Sequence, residues 1–169
     1  MRMKNVKTML ASLALLCLVS CTDKSAKAVI EEQGKAESVQ QAETLDAFYR
    51  RYIAAANARD LDAIAGMVSD DVIINGVKKK KEDSVGGFQY ILDAVPDYEW
   101  KIEDLFTDGE RIACRLTDTG TPTKTFLGNE PTGASISITE FASYRVRNGK
   151  FIEMWYLIDA AQVKEQLKK

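Results

Sequence analysis

The residues best suited to chemistry lie near the end of the chain, where an aspartate follows a strand-like apolar segment. Asp159 comes four residues after Trp155, so strand alternation places both side chains on one face. A carboxylate against apolar walls has a raised pKa, which makes it a better base near neutral pH. Because the chain contains no histidine, proton transfer falls to carboxylates, lysines, tyrosines or a thiol. Asp159 is therefore the candidate general base.

Aromatic and polar residues elsewhere in the chain can line a pocket around this carboxylate. The candidate ligand-binding residues are Phe48, Tyr52, Asn75, Trp100, Arg115, Tyr144 and Trp155. Asn75, Tyr52 or Tyr144 can donate a hydrogen bond to an enolate oxygen, and Arg115 can meet Asp159 or a ligand's carbonyl or carboxylate. Aromatic residues at core spacing also serve simply as core, and Arg115 can equally face solvent. Glu140 enters the site only if its strand faces inward.

The first residues of the chain have the pattern of an export signal. Arg2, Lys4 and Lys7 precede an apolar run over residues 9–19 that is too short for an ordinary transmembrane helix. The sequence that ends at Cys21 resembles the lipobox of bacterial lipoproteins, which implies cleavage before Cys21 and acylation of its thiol. An ordinary secretory signal or an uncleaved anchor is the alternative. We therefore expect residues 1–20 to be a signal and the protein to be anchored by lipid in a bacterial cell envelope, facing the periplasm or the cell surface.

The composition of the chain limits its domain organisation and the partners that it can bind. The net charge is −2, and loss of the signal removes three basic residues and no acidic one, so nucleic-acid binding is disfavoured. Residues 21–42 contain no aromatic residue and few apolar ones, which predicts a flexible tether. Residues 43–169 have the length of one domain. Cys114 is left without a partner thiol and is expected in the core.

Apolar spacing predicts helices first and strands afterwards. A helix with apolar spacing from Leu45 to Ala56, a short helix capped by Asp60, and a helix capped near Ser84 and ended by Pro96 are expected. Alternation with a period of two then predicts four strands, over residues 98–106, 111–119, 135–146 and 151–158, in an antiparallel meander. The lysines at 78–81 can dock on anionic lipid, but a solvated loop is favoured because two acidic residues follow. The fold is predicted to be α+β, with a cone-shaped, curved antiparallel sheet wrapped around the N-terminal helices.

An ordered set of short motifs carries a family resemblance over about residues 45–167. The motifs are Val95-Pro96-Asp97, Thr107-Asp108-Gly109-Glu110-Arg111, Gly120-Thr121, Phe126-Leu127-Gly128, Pro131-Thr132-Gly133, Tyr144-Arg145-Val146, Asn148-Gly149-Lys150 and Glu153-Met154-Trp155 with Asp159. Together they resemble the SnoaL-like polyketide cyclase family of the nuclear-transport-factor-like superfamily. The resemblance implies a cone-shaped α+β barrel and places Asp159 at the family's catalytic aspartate, which forms an enolate and closes a ring without cofactor or metal.

The departures from the family pattern weaken the catalytic implication. Asn75, Pro122 and Met154 stand where many members have histidine, so an imidazole relay cannot operate. We therefore expect a lipid-anchored domain that binds a small, largely apolar ligand in its barrel without catalysis, or that dimerises through its sheet face. The alternative is a cofactor-free cyclase or isomerase acting on a carbonyl compound. In that alternative Asp159 is the base, Asn75 or Tyr52 is the oxyanion donor, and Arg115 is an electrostatic aid.

Overall fold

In the computed structural model, which describes residues 45–168, the first helix buries the face that its spacing predicts. This helix, α1, covers residues 45–57. Its apolar positions Leu45, Phe48, Tyr49, Tyr52, Ile53 and Ala56 are all buried. The predicted signal at 1–20, the acylated Cys21 and the tether at 21–42 lie outside the described residues. Within the described part, no helix combines the length and apolar character needed to cross a membrane.

The remaining described elements follow one another closely along the chain. They are α2 (Leu61–Gly66), β1 (Val68–Ile74), β2 (Val77–Lys80), α3 (Lys81–Ala94), β3 (Glu99–Asp108), β4 (Arg111–Gly120), β5 (Ile136–Arg147), β6 (Lys150–Ile158) and α4 (Ala160–Gln166). Asp60 caps α2 as predicted, since its side chain accepts a hydrogen bond from the Ala63 N–H at 2.9 Å. The α+β class is confirmed.

The strands form one curved, unclosed sheet in the order β2-β1-β6-β5-β4-β3. The predicted meander of four strands is confirmed as β3 to β6. Two further strands extend it, because β1 pairs parallel to β6 and β2 pairs antiparallel to β1. The sheet is therefore mixed rather than wholly antiparallel.

The lysine run lies on the edge strand and the start of α3, so the prediction of a loop is wrong. Lys80 and Lys81 form exposed ion pairs with Asp71 and Asp70. An edge strand that carries lysines resists pairing with other chains. The charges of Lys80 and Lys81 are thus balanced locally.

Helix α3 begins four residues earlier than predicted, because Lys80 is its N-cap and Asp83, rather than Ser84, supplies the side chain that caps its N-terminus. The Asp83 side chain accepts a hydrogen bond from the Lys80 N–H at 2.9 Å, which satisfies a backbone donor that has no partner within the helix. Ser84 is buried instead, and its hydroxyl lies 3.7 Å from the Met154 sulfur. The helix ends before Pro96, as expected.

A bulge in β6 decides which of its side chains face inward. The register of β6 on β5 shifts between Phe151 and Glu153, so Ile152 is an extra residue. One extra residue reverses the face taken by every later side chain. Phe151 before the bulge and Met154 after it are both buried, whereas Trp155 is 45% exposed. The alternation with a period of two that was predicted for residues 151–158 is therefore interrupted at Ile152.

Candidate functional site

A cavity of about 220 Å³ lies between α1, α3, the loop after β4 and the inner face of the sheet. The helices contribute Tyr52, Ile53, Ser84, Gly87, Phe88, Tyr90 and Ile91. The sheet and the loop contribute Trp100, Leu116, Phe126, Leu127, Glu140, Tyr144, Met154, Tyr156 and Ile158. Most of this lining is apolar or aromatic, and Glu140 carries the only carboxyl group among the lining residues.

The aromatic rings of the lining contact one another and hold the walls in place. The ring centroids of Tyr52 and Phe88 are 5.7 Å apart, those of Phe88 and Trp100 are 5.4 Å apart, and those of Tyr52 and Tyr144 are 6.3 Å apart. Edge-to-face and tilted pairs at these distances stabilise a structure beyond the area that they bury. The cavity therefore has walls that are formed before any ligand arrives.

Glu140 belongs to a buried pair of carboxyl groups. Asp118 lies opposite Ile138 and Glu140 lies opposite Leu116, so the two acids are diagonal neighbours on the inner face of β4 and β5. Asp118 is 0% exposed and Glu140 is 6% exposed. The Tyr98 hydroxyl donates a hydrogen bond to Asp118 Oδ2 at 3.0 Å. Asp118 Oδ1 finds no conventional donor among residues 45–168.

The two carboxyl groups cannot both ionise in this position, since like charges in a low-dielectric interior repel strongly. Burial raises the pKa of Asp118 to about 6, although hydrogen bonds with Glu140 and Tyr98 act in the opposite direction. Burial, followed by the charge of Asp118, raises the pKa of Glu140 well above its ordinary value. The pair therefore favours a state in which a proton stays on Glu140 while Asp118 carries the negative charge.

The negative charge of the pair has no positive partner. No lysine or arginine of the described chain donates a hydrogen bond to either carboxyl or forms an ion pair with it. The neighbouring groups are phenols and one thiol: Tyr49, Tyr52, Tyr98, Tyr144, Tyr156 and Cys114. Burial raises the pKa of each of these phenols and raises that of Cys114 to about 12, so all of them are neutral near pH 7.

Asp159 lies outside the cavity, so the enclosed position predicted for it is wrong. Its side chain is exposed and accepts hydrogen bonds from the N–H groups of Ala161 at 3.0 Å and Gln162 at 3.2 Å. These contacts cap α4, a helix that was not predicted. With Arg115, Asp159 borders a separate hollow of about 580 Å³ whose lining includes the exposed side chains of Phe141 and Leu157. A catalytic role for Asp159 stays a prediction.

Arg115 and Trp155 also face away from the cavity. Arg115 forms an ion pair with Asp104 at 2.7 Å. The Trp155 indole N–H donates to Glu153 at 2.8 Å, and a Cβ added to Gly76 would lie 3.2 Å from the edge of the indole ring. The indole therefore packs over the turn between β1 and β2, because the bulge in β6 turns it outward.

Asn75 and Phe48 lie outside the cavity and make contacts that stabilise the fold. The Asn75 side chain donates to the Tyr156 carbonyl at 3.2 Å and accepts from the Tyr156 N–H at 3.0 Å. It thereby ties the turn after β1 to β6. Phe48 is buried in the core, with its ring centroid 4.9 Å from that of Phe151. Neither residue lines the cavity.

Three predicted residues, Tyr52, Trp100 and Tyr144, do line the cavity, and their contact with a ligand stays a prediction. From the sequence, Glu140 was expected in the site only if its strand faced inward, and Asp118 was not predicted. A signal for Asp118 was present, because it follows Leu116 in the alternation of buried residues along β4. An acidic residue on an apolar strand face marks a buried carboxylate that needs a partner.

The expectations about metals and association stay predictions. Residues 45–168 contain no group of three or more His, Cys, Asp or Glu residues arranged to hold a metal ion. The apolar side chains of Phe106, Phe141, Trp155 and Leu157 are exposed. They lie on strands β3, β5 and β6, where the homodimer was expected.

Comparison with known proteins places this chain in a family. A sequence model of the SnoaL-like polyketide cyclases matches residues 46–167. No curated protein matches the chain. Among solved structures, AclR from Streptomyces galilaeus, provisionally a hydroxylase, is 27% identical, with 72% of this chain and 93% of that chain covered and a TM-score of 0.65.

Two further solved structures are similar to this chain. IdmH from Streptomyces antibioticus, provisionally a polyketide cyclase, is 25% identical over 72% of this chain and 96% of that chain, with a TM-score of 0.66. A SnoaL-like polyketide cyclase from Agrobacterium tumefaciens is 24% identical over 73% of this chain and 98% of that chain, with a TM-score of 0.69, and supports the fold. With the family model matching most of its length, the chain belongs to the SnoaL-like polyketide cyclase family.

Proposed function

We propose that this protein binds a small, largely apolar molecule in the cavity between α1, α3 and the sheet. The observation that carries the proposal is an aromatic-walled space of about 220 Å³ with one carboxyl group in its lining. An apolar cavity of about 150 Å³ is large enough to bind benzene, so this space suits a molecule of one or two fused rings. Binding sites of this kind combine apolar walls with a few polar groups that fix orientation, and Glu140 is the group placed to do so.

Two neighbouring glycines of α3 allow a direct test. Gly87 lines the cavity, whereas Gly86 is exposed. A Cβ at either position meets no atom within 4 Å, and leucine is a better helix former than glycine. Gly87→Leu should therefore fill the cavity without unfolding the helix, and Gly86→Leu is the matched control.

The measurement is calorimetric titration with 2-naphthylmethanol, a neutral two-ring probe. Wild type and Gly86→Leu should bind it, and Gly87→Leu should bind at least about tenfold more weakly, a loss of about 1.4 kcal/mol. Thermal unfolding of both variants verifies that they remain folded. Absence of binding to wild type, or equal binding by the two variants, would overturn the proposal.

A second candidate function is cofactor-free proton transfer on a carbonyl compound, favoured by the carboxyl group of Glu140 in the cavity lining. In this function Glu140 with Asp118, rather than the exposed Asp159, would exchange a proton with the carbon beside the carbonyl. Deuterium incorporation into 2-tetralone tests it by mass spectrometry. Glu140→Gln should abolish the enzyme-dependent exchange and Asp159→Asn should leave it unchanged; the opposite pattern would restore Asp159 as the base.

We also propose that lipid on Cys21 anchors the domain in a bacterial cell envelope. The support is the lipobox-like sequence that ends at Cys21, and two or more acyl chains are enough for stable anchoring. Detergent phase partitioning of the protein expressed with its complete N-terminus tests this. Wild type should enter the detergent phase and Cys21→Ser should stay in the aqueous phase; an aqueous wild type would refute it.

A further inference from the structure

The cavity has a negative end with no positive group to balance it. Glu140 reaches the cavity and Asp118 lies behind it, fully buried. Asp118 receives one hydrogen bond, from Tyr98, and its second oxygen lacks a conventional donor within residues 45–168. A buried charge without a partner is costly. A ligand that supplied a positive charge at Glu140 would remove that cost.

The other walls of the cavity also favour a cation. Aromatic rings carry negative charge on their faces and attract ammonium groups within about 6 Å of the ring centre. Seven aromatic residues line the space: Tyr52, Phe88, Tyr90, Trp100, Phe126, Tyr144 and Tyr156. Four of these rings contact one another, and the residues that line the cavity include Glu140 but no lysine or arginine. An acidic pair of carboxyl groups at one end of an aromatic cavity is a combination that suits an organic cation.

We propose that the cavity takes a small lipophilic amine, bound as its ammonium ion against Glu140, with Asp118 as the residue that positions Glu140 and shares its charge. This inference rests on the proposed ligand-binding function and names the chemical class of the ligand. The ammonium group donates hydrogen bonds to the Glu140 carboxyl, and the apolar part of the amine fills the aromatic space. A carboxylate of the same shape would be repelled, and a neutral alcohol would gain a hydrogen bond without the charge.

The pH dependence of binding follows from the groups that face the pair. The phenols of Tyr49 and Tyr52 on α1, Tyr98 before β3, Tyr144 on β5 and Tyr156 on β6 surround it, together with the Cys114 thiol on β4. All of these are neutral near pH 7, so the charge of the cavity is set by the two acids. Because the pKa of Asp118 is about 6, the preference for a cation is present above that pH and fades as the pH falls through it.

The test compares three probes of one shape by calorimetric titration: 2-naphthylmethylamine, 2-naphthylmethanol and 2-naphthoate. At about pH 7.5 the amine should bind wild type at least tenfold more tightly than the alcohol, and the carboxylate should bind most weakly. At about pH 5 the advantage of the amine should shrink severalfold. The double variant Asp118→Asn/Glu140→Gln keeps the side-chain volumes and removes the charge, so it should bind amine and alcohol equally.

Controls separate the possible failures. Glu153→Gln removes a carboxylate that pairs with Arg145 outside the cavity and should keep the preference of wild type. Binding of the alcohol to the double variant shows that its cavity is intact. If the double variant does not fold, the single Asp118→Asn variant, which removes the buried charge, takes its place. Binding of the alcohol with no advantage for the amine would overturn this inference and leave the proposed function standing. If no probe bound wild type, both would fail.

Discussion

Replacement of Asp118 by asparagine should change how stability depends on pH. Asparagine keeps an oxygen to accept the Tyr98 hydrogen bond, seen at 3.0 Å, and an amide that can donate toward Glu140. It removes the buried charge and little else. Because the pKa of Asp118 is raised on folding, wild type has its full stability below the unfolded pKa and loses stability as the pH rises toward the folded pKa.

The magnitude follows from the two pKa values. The pKa of Asp118 rises from 3.8 to about 6, and each unit corresponds to about 1.4 kcal/mol. Wild type should therefore lose about 3 kcal/mol of stability relative to Asp118→Asn between about pH 4 and pH 7. Glu140 stays protonated over this range, because its pKa lies well above the ordinary value, and does not obscure the difference.

Urea unfolding at a series of pH values measures the effect. The free energy of unfolding of wild type minus that of Asp118→Asn should become more negative as the pH rises, with a midpoint between the two pKa values. Asp108→Asn, at an exposed strand end, is the matched surface control. Acids whose pKa is lowered on folding, such as Asp97 and Glu110, contribute equally to both proteins and cancel. A difference that is flat across pH would refute the buried, uncompensated charge.

Three further substitutions test parts of the fold. Gly120→Ala should lower the free energy of unfolding by about 1–3 kcal/mol in urea titrations, because its Cβ would lie 2.5 Å from Val95 Cγ1. Gly66→Ala, where the added Cβ meets open space, should leave the free energy of unfolding unchanged, and equal effects of the two substitutions would contradict this. Asp159→Ala should cost about 1 kcal/mol by loss of the α4 cap, whereas Asp159→Asn should cost much less; equal losses in urea titrations would count against capping. Asn75→Ala should cost about 1–3 kcal/mol through two lost hydrogen bonds, and an unchanged thermal midpoint would exclude this.

Periodicity predicted the elements of this fold well, because long segments with one buried face leave a clear signal. The apolar face of α1 and the four strands of the meander follow directly from spacing. The parallel pairing of β1 with β6 could not be predicted in this way, since it joins segments that are distant in sequence. The start of α3 was misplaced because serine is a favoured N-cap residue and lysine is not, whereas here the N-cap is Lys80 and Asp83 supplies the capping side chain from within the first turn.

The residues of the site were predicted less well, because they depend on which face of the sheet each side chain occupies. Tyr52, Trp100 and Tyr144 line the cavity as expected. Trp155 and Asp159 do not, since one extra residue at Ile152 reverses the alternation of β6 and a bulge leaves little trace in a sequence. The helix after Asp159 could have been recognised, because an aspartate followed by alanines, glutamines and lysine is a strong helix start.

The position of the acids limits what may be carried over from the family to this chain. Asp159, which the resemblance places at the family's catalytic position, caps α4 and is exposed. The buried acids lie on other strands, Glu140 on β5 and Asp118 on β4. A carboxylate changes its chemistry with its surroundings, since burial without a cation makes it hold a proton and hydration lets it ionise. We therefore propose that function in this cavity, whether binding or proton transfer, depends on Glu140 and Asp118. Substitutions at Asp159 should act through the stability of α4.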